Sequence, residues 1–178
     1  MADFFDQLED KHIDFIKQQQ MFFVATAPKE GRINLSPKGL DTFRVLSKTQ
    51  VAYLDFMGSG NETAAHLLDD GRITVMFNSF NRNPLIMRLY GRGTNYRPDT
   101  DQFKELFPLF DHELHGVRQI FVIDIESIQT SCGYGVALFG EFNERPTLQK
   151  WADSKDSAQI DQYYQDKNTQ SIDGLPVK

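Results

Sequence analysis

The sequence predicts a mainly β fold: a small antiparallel barrel of about six strands, with helices at its ends and between strands. Short runs rich in β-branched and aromatic residues recur along the chain, and short turns separate the early ones, which favours antiparallel pairing. The 178 residues are 40% hydrophobic and 25% charged, an ordinary balance for one domain with its own core. Fifteen phenylalanines predict that this core, or a pocket, is aromatic.

The first half of the chain is predicted to form a helix, a hairpin, and two further strands around a short helix. Apolar residues at helical spacing among charged ones predict an amphipathic helix over 4–19. A P-K-E-G turn joins the first two strands into the hairpin. The predicted strands are 21–27, 32–36, 51–56 and 73–78, and the short helix is 61–68.

The second half is predicted to contain two more strands and two helices. In the strand 85–96, the glycines at 91 and 93 predict a bulge or a close backbone approach. Asp99 or Thr100 is predicted to cap the helix that follows. The remaining predicted elements are a helix over 99–110, a strand over 118–128 and a helix over 146–167. Without linker or repeat, residues 1–178 are predicted to form one domain with a helical C-terminal extension, about 146–178.

Charge and targeting signals narrow the class of protein. The net charge of −6 argues against nucleic acid as the main partner. Residues 31–97 carry more basic than acidic side chains, which suits a small anionic ligand or is scatter over a solvated surface. The N-terminus lacks the basic and apolar regions of a secretory signal, and no segment has the apolar length of a membrane span. The sequence therefore predicts a cytoplasmic protein that does not enter a membrane.

The turn G-S-G-N-E-T-A-A-H-L, residues 58–67, joins a predicted strand to a predicted helix through two glycines. Ser59 or Asn61 could cap the helix, with Glu62 favourably placed in its first turn. Alternatively, the bare turn exposes backbone N–H groups that bind a phosphate at the helix N-terminus. Both interpretations are open at this stage, and they are compatible.

Two basic residues are further candidates for anion binding. The segment S-P-K-G places Ser36 and Lys38 in a turn directly after a strand, where a lysine can pair with a phosphate or simply be exposed. Arg88 interrupts the apolar strand L-I-M-R-L-Y and needs a partner if it is half-buried. That partner could be Asp55, Glu62 or a ligand.

The sequence gives only weak signals for a metal site or for a catalytic nucleophile. His112 and His115 are three residues apart, which is not the H-E-x-x-H spacing, and a polar loop is the commoner structure for such a segment. The single cysteine, Cys132, excludes an intrachain disulfide and a Cys-rich metal site. No base is evident beside it, so a buried structural cysteine is favoured over a nucleophile. We predict no metal site, and no catalytic residue is identified.

Four segments occur in order: R-I-N-L-S-P-K-G, V-A-Y-L-D-F-M-G-S-G-N-E-T-A-A-H-L, G-R-I-T-V-M-F and M-R-L-Y-G-R-G. Together they resemble the pyridoxamine 5′-phosphate oxidase-like family of FMN-binding split barrels. The resemblance covers residues 10–97 well and 117–135 loosely. It implies a six-stranded antiparallel Greek-key split β-barrel with peripheral α-helices, and a homodimer with FMN at the interface.

The resemblance also implies which residues bind FMN. By position, the phosphate is held by a basic residue after the second strand and by the turn after the third, and the end of the third strand contacts the isoalloxazine ring. Arg32 and Arg88 are additional candidates for the phosphate. The implied cofactor-binding residues are Arg32, Ser36, Lys38, Leu54, Asp55, Phe56, Ser59, Gly60, Asn61, Thr63 and Arg88.

The chain departs from the vitamin B6 oxidases themselves at two places. Gly60 and Asn61 stand where those enzymes have Arg-Lys, so two phosphate charges are missing. The chain also ends in N-T-Q-S-I-D-G-L-P-V-K, not in an Arg-rich segment that helps to hold pyridoxal phosphate. It therefore resembles a less characterised branch of the family rather than a vitamin B6 oxidase.

The favoured hypothesis is an FMN-dependent oxidoreductase that acts on a small molecule, with the redox chemistry carried by the flavin. Tyr134, Trp151 and the C-terminal tail are candidates to line its substrate pocket. The alternative is a non-catalytic flavin- or haem-binding carrier or sensor, or a relative that kept only the fold. Haem would require an axial ligand such as His66, His112 or His115, and a deazaflavin could replace FMN.

Overall fold

A computed structural model describes residues 2–141 and 145–178. These residues form eight strands and five α-helices. The elements in chain order are β1 (Asp3–Phe5), α1 (Asp10–Lys17), β2 (Phe22–Thr26), β3 (Asn34–Lys38), β4 (Phe43–Val45), β5 (Gln50–Phe56), α2 (Glu62–Asp69), β6 (Arg72–Asn78), β7 (Leu85–Tyr96), α3 (Asp101–Leu106), β8 (Val117–Cys132), α4 (Thr147–Asp153) and α5 (Ser157–Lys167).

All strands belong to one antiparallel sheet in the order β3–β2–β6–β7–β8–β5–β4, and β1 pairs with β8. The steps from β2 to β6 and from β8 to β5 join strands that are distant in sequence. The long strand β8 pairs with β7, β5 and β1 and therefore connects the two halves of the sheet. The predicted split-barrel fold is confirmed, with two more strands than the six expected.

Aromatic side chains inside the sheet explain why it curls. Phe22 lies near one end of the strand order, and Phe43 and Tyr53 lie at the other end. The ring of Phe22 nevertheless contacts both, with centroid distances of 5.0 Å to Phe43 and 5.6 Å to Tyr53. The two ends of the sheet therefore meet across an aromatic core, as the phenylalanine content predicts.

Most predicted elements are present, and the predicted hairpin is formed by β2 and β3. β3 continues through Pro37, which is tolerated because β3 is an edge strand. Thr100 is the cap of α3, and its hydroxyl accepts a hydrogen bond from the Phe103 N–H at 3.2 Å. The predicted bulge is confirmed by the register shift between Tyr90 and Gly91.

Two predicted helices were wrong, and one further strand was not predicted. The predicted helix 4–19 begins only at Asp10, because Phe4 and its neighbours pair with β8. The short strand β4 was missed. The predicted helix 146–167 is two helices, because Asp156 forms a capping box with Gln159 and starts α5 afresh. That residues 1–178 form one domain stays a prediction, and residues 1 and 142–144 lie outside the described residues.

Candidate functional site

The strand β5, the turn 57–61 and the first turn of α2 form one side of the main cavity. Neither Gly58 nor Gly60 has a positive φ, so the turn does not need glycine for its backbone conformation. A Cβ at Gly60 would lie 3.0 Å from Glu62 Oε1, the end of a flexible side chain. Glycine therefore keeps the turn free of side-chain bulk at the cavity.

The capping hypothesis for this turn was wrong, because no side chain caps α2. Asn61 is buried, and its side chain is used elsewhere: Oδ1 accepts from Gln119 Nε2 at 2.7 Å, and Nδ2 donates to the Asn168 carbonyl at 3.0 Å. Glu62 does lie in the first turn, and its carboxylate accepts the Ile172 N–H at 2.9 Å. The first N–H groups of α2 are left without a side-chain acceptor.

Asp55 is the centre of a buried charge network beneath the turn. Its carboxylate lies 3.1 Å from Lys38 Nζ and 2.8 Å from Arg118 Nη2, and it accepts a hydrogen bond from Gln119 Nε2 at 2.9 Å. Burial alone would raise the pKa of Asp55, but the charges of Arg118 and Lys38 outweigh it, and the pKa falls to about 2. Asp55 is therefore a fixed anion that holds two cations in place.

The cavity has a volume of about 750 Å³, within the range of small-molecule and cofactor sites. β3 lines one side, the end of β5 and the turn line the second, and α4 together with the C-terminal segment lines the third. Ser36 contributes a buried hydroxyl that has no hydrogen-bond partner among the described residues. An unpartnered buried hydroxyl at a cavity favours a polar ligand there.

The structure brings most of the predicted site residues together around this cavity. Those that line it are Ser36, Lys38, Leu54, Asp55, Phe56, Ser59, Gly60, Asn61 and Thr63. Arg32 does not line it, because its backbone N–H and its guanidinium both contact the carboxylate of Asp173. Arg88 lies on the opposite face of the sheet, where its nearest partners are Gln129 Oε1 and Ser131 Oγ, each at 3.5 Å.

Two residues of this site were missed from the sequence. Arg118 is 5% exposed and donates to Asp55, to the Gly60 carbonyl and to Asn168. A charged residue at the start of a strongly apolar strand was a signal that could have identified it. Asn168 is completely buried, but nothing in the local sequence distinguishes it from a surface asparagine.

Other candidate residues lie outside the cavity. His66 is buried against Thr26, with 3.0 Å between Nδ1 and Oγ1, and His115 Nε2 lies 2.8 Å from the Ala152 carbonyl. No histidine lines the cavity in the described part of the chain. Trp151 packs on Tyr163, and Tyr134 is 83% exposed, so neither lines it within one chain.

The described residues offer no second candidate site through metal ligands or a buried thiol, and none of their helices could span a membrane. Among residues 2–141 and 145–178, no three histidine, cysteine or acidic side chains cluster as metal ligands. Cys132 is a free, exposed thiol at the end of β8, so the expectation that it is buried was wrong. In the same ranges, every helix is too short or too polar to cross a bilayer.

A curled antiparallel sheet with a cofactor-sized cavity at a strand-to-helix turn places this protein in the class of small split β-barrels. The chain belongs to the pyridoxamine 5′-phosphate oxidase family, whose sequence profile matches residues 8–132. It is 39% identical to the pyridoxamine 5′-phosphate oxidase family protein ustO of Aspergillus flavus over 193 aligned positions. The alignment covers 99% of this chain and 78% of that protein.

Solved structures with low sequence identity share the fold. HupZ of Group A Streptococcus superposes with a TM-score of 0.58 at 20% identity, covering 75% of this chain and 99% of HupZ. An FMN-binding protein of Syntrophomonas wolfei gives a TM-score of 0.50 at 14% identity, covering 71% of this chain and 83% of that protein. At these identities, the similarity establishes the fold alone.

Proposed function

We propose that this protein binds FMN in the 750 Å³ cavity and acts as a flavin-dependent oxidoreductase on a small molecule. The observation that carries the proposal is the meeting of Lys38, the Ser36 hydroxyl and the uncapped turn 58–61 at one cavity. Membership of the pyridoxamine 5′-phosphate oxidase family and the shared fold of an FMN-binding protein support it.

The residues that line the cavity suit a phosphate mainly because they supply hydrogen-bond donors, and less because of their net charge. Three cations line the cavity: Lys38, Arg118 and Lys167. Asp55 balances part of the charge of Lys38 and Arg118. N–H groups of the turn and the hydroxyls of Ser59 and Thr63 supply further donors. Because the side chain of Asn61 is buried and hydrogen-bonded to Gln119 and Asn168, Asn61 contributes its backbone N–H.

The isoalloxazine ring would lie along the end of β5, against Leu54, Asp55 and Phe56. The backbone of these residues and the ring of Phe56 would face the flavin, since the Asp55 carboxylate is occupied by Arg118 and Gln119. FMN, when bound, supplies the electron or hydride transfer. The protein supplies binding, orientation and exclusion of water.

We further propose that the protein is a homodimer and that the partner's Arg88 completes the site. Side chains on the outer face of the sheet form one row across five strands: Phe23, Met76, Arg88, Gln129 and Phe4. Phe4 is 65% exposed, and the others are half-buried. A largely apolar row around an arginine that has no carboxylate partner among the described residues suits burial against a second copy.

Haem is a weaker candidate for the cavity than FMN, and a deazaflavin stays an alternative. Haem lacks a histidine ligand among the described lining residues, whereas a deazaflavin shares the phosphate chemistry of FMN. Cytoplasmic localisation stays a prediction, and the free thiol of Cys132 suits a reducing compartment.

Anaerobic reduction of the flavin-loaded protein by a nicotinamide donor, followed by reoxidation with an acceptor, tests the oxidoreductase proposal. We expect the visible flavin absorbance to bleach and then return. If the protein binds FMN but no donor reduces the bound FMN faster than it reduces free FMN, the protein would instead be a flavin carrier or sensor.

A further inference from the structure

Hydrogen bonds connect the C-terminal segment after α5 to the turn 58–61. The N–H of Asn168 donates to the Tyr164 carbonyl at the end of α5, and its side-chain Nδ2 donates to the Gly58 carbonyl at 2.9 Å. Its Oδ1 accepts from Arg118 Nη1, also at 2.9 Å. Arg118 Nη1 donates in turn to the Gly60 carbonyl at 2.6 Å. Two carbonyl groups of the turn are therefore held by two buried side chains.

Because the peptide group is planar, holding a carbonyl group in place also fixes the direction of the N–H group in the same peptide. In a trans peptide, the C=O of one residue and the N–H of the next point in opposite directions. The Gly58 carbonyl points toward Asn168, so the Ser59 N–H points away from Asn168. The Gly60 carbonyl points toward Arg118, so the Asn61 N–H points away from Arg118. Neither N–H donates to another group of residues 2–141 or 145–178.

We propose that Asn168 and Arg118 are positioning residues that set the phosphate preference of the site. They hold the peptides 58–59 and 60–61 so that the N–H groups of Ser59 and Asn61 face the cavity as an anion-binding pair. This inference rests on the proposed binding of FMN. It assigns to the C-terminal segment a role in recognising the phosphate of the ligand.

The test compares FMN with riboflavin, which has the same ring system and no phosphate. Dissociation constants for both are measured by flavin fluorescence for the wild type, for Asn168→Ala, and for Asp173→Ala as a control. Asp173 anchors the same segment to Arg32 but does not contact the turn, so its loss loosens the segment without releasing the two carbonyl groups.

We expect Asn168→Ala to weaken FMN binding roughly tenfold and to leave riboflavin binding within about twofold, because it removes the orientation of one phosphate donor. Asp173→Ala is expected to keep the wild-type ratio of the two constants. Equal losses for both flavins in Asn168→Ala, or the same change of ratio in Asp173→Ala, would overturn the positioning role and indicate a structural one.

A second measurement does not depend on the folding of a variant. In NMR spectra of the wild type, FMN is expected to shift the amide resonances of Ser59 and Asn61 strongly downfield relative to riboflavin. Equal resonances with both flavins would overturn the inference while leaving FMN binding intact. A wild type that binds neither flavin would overturn the proposed function and this inference with it.

Discussion

At the scale of single residues, the proposed phosphate site depends most on Lys38. Its side chain is 24% exposed at the cavity, and Asp55 fixes its position. We expect Lys38→Ala to weaken FMN binding roughly tenfold, the effect of losing one charge-assisted hydrogen bond. The measurement is the dissociation constant of FMN, followed by fluorescence.

Lys48→Ala is the control, because Lys48 is exposed and does not line the cavity. It removes the same charge from the protein and is expected to leave FMN binding near the wild-type value. Equal affinities in the two variants would show that Lys38 does not contact the phosphate.

Asp55 gives the protein a specific dependence of stability on pH. Its pKa is lowered from 3.8 to about 2 in the folded state, which corresponds to about 2 kcal/mol of stabilisation. Since the folded value lies below the unfolded value, this contribution is present above about pH 4 and is lost as the pH falls toward 2. Urea unfolding of the wild type between pH 2 and pH 7 is expected to show the loss.

Asp55→Asn separates this contribution from other effects of acid. The variant is expected to lose about 3–5 kcal/mol at neutral pH, because Arg118 is left buried without its anion. Its free energy of unfolding should also fall less steeply between pH 4 and pH 2 than that of the wild type. An unchanged slope would mean that Asp55 is not the group responsible.

Predicted site residues with a local signal lie at the cavity, and their binding role stays a prediction. Ser59 and Gly60 stand in the turn after β5, and Lys38 is the last residue of β3. Arg118 and Asn168 contact the turn from sequence distances of 58 and 110 residues. Only the folded chain shows such contacts.

At the scale of secondary structure, two strands approach each other closely at Gly91 in β7. A Cβ at this position would overlap the Asp124 carbonyl oxygen in β8, at the bulge of the pair. We expect Gly91→Ala to destabilise the protein by about 1–3 kcal/mol, because the backbone of the longest strand pair must shift. Thermal or urea unfolding measures the change.

Gly135→Ala provides the matched control for this prediction. Apart from its two chain neighbours, no described residue has a heavy atom within 4 Å of a Cβ at Gly135, and the φ of Gly135 is not in the left-handed region. The variant is expected to be as stable as the wild type within about 0.5 kcal/mol. Equal stability of the Gly91 and Gly135 variants would contradict the close approach.

Secondary-structure elements were predicted well where the signal lies in the local sequence, and poorly where it depends on pairing with a distant strand. β5, β6 and β7 followed from apolar runs bounded by turns, and their bounds agree within one residue. β1 was not predictable, because Phe4 and Phe5 have helical spacing with later apolar residues and form a strand only by pairing with β8. The break before α5 had a local signal, the capping box D-S-A-Q, that the helical periodicity of the segment obscured.

At the scale of the whole molecule, the proposal requires two copies of the chain. Met76→Glu places a charge in the middle of the outer row of the sheet, next to Arg88. We expect this variant to be monomeric by light scattering after gel filtration and to bind FMN more weakly than the wild-type dimer.

Leu68→Glu is the control for a charge on an exposed apolar residue, because Leu68 is 56% exposed on α2 and lies away from the outer row. It is expected to remain dimeric. A monomeric wild type, or a Met76→Glu dimer with normal FMN affinity, would contradict the dimer proposal.

The central claim is that this split barrel holds FMN, and the most direct test is the visible absorption spectrum of the purified protein after incubation with FMN and gel filtration. We expect a retained flavin spectrum of about one FMN per chain in the wild type and in Lys48→Ala, with clear loss in Lys38→Ala. A folded wild type that elutes colourless after incubation with FMN would contradict it.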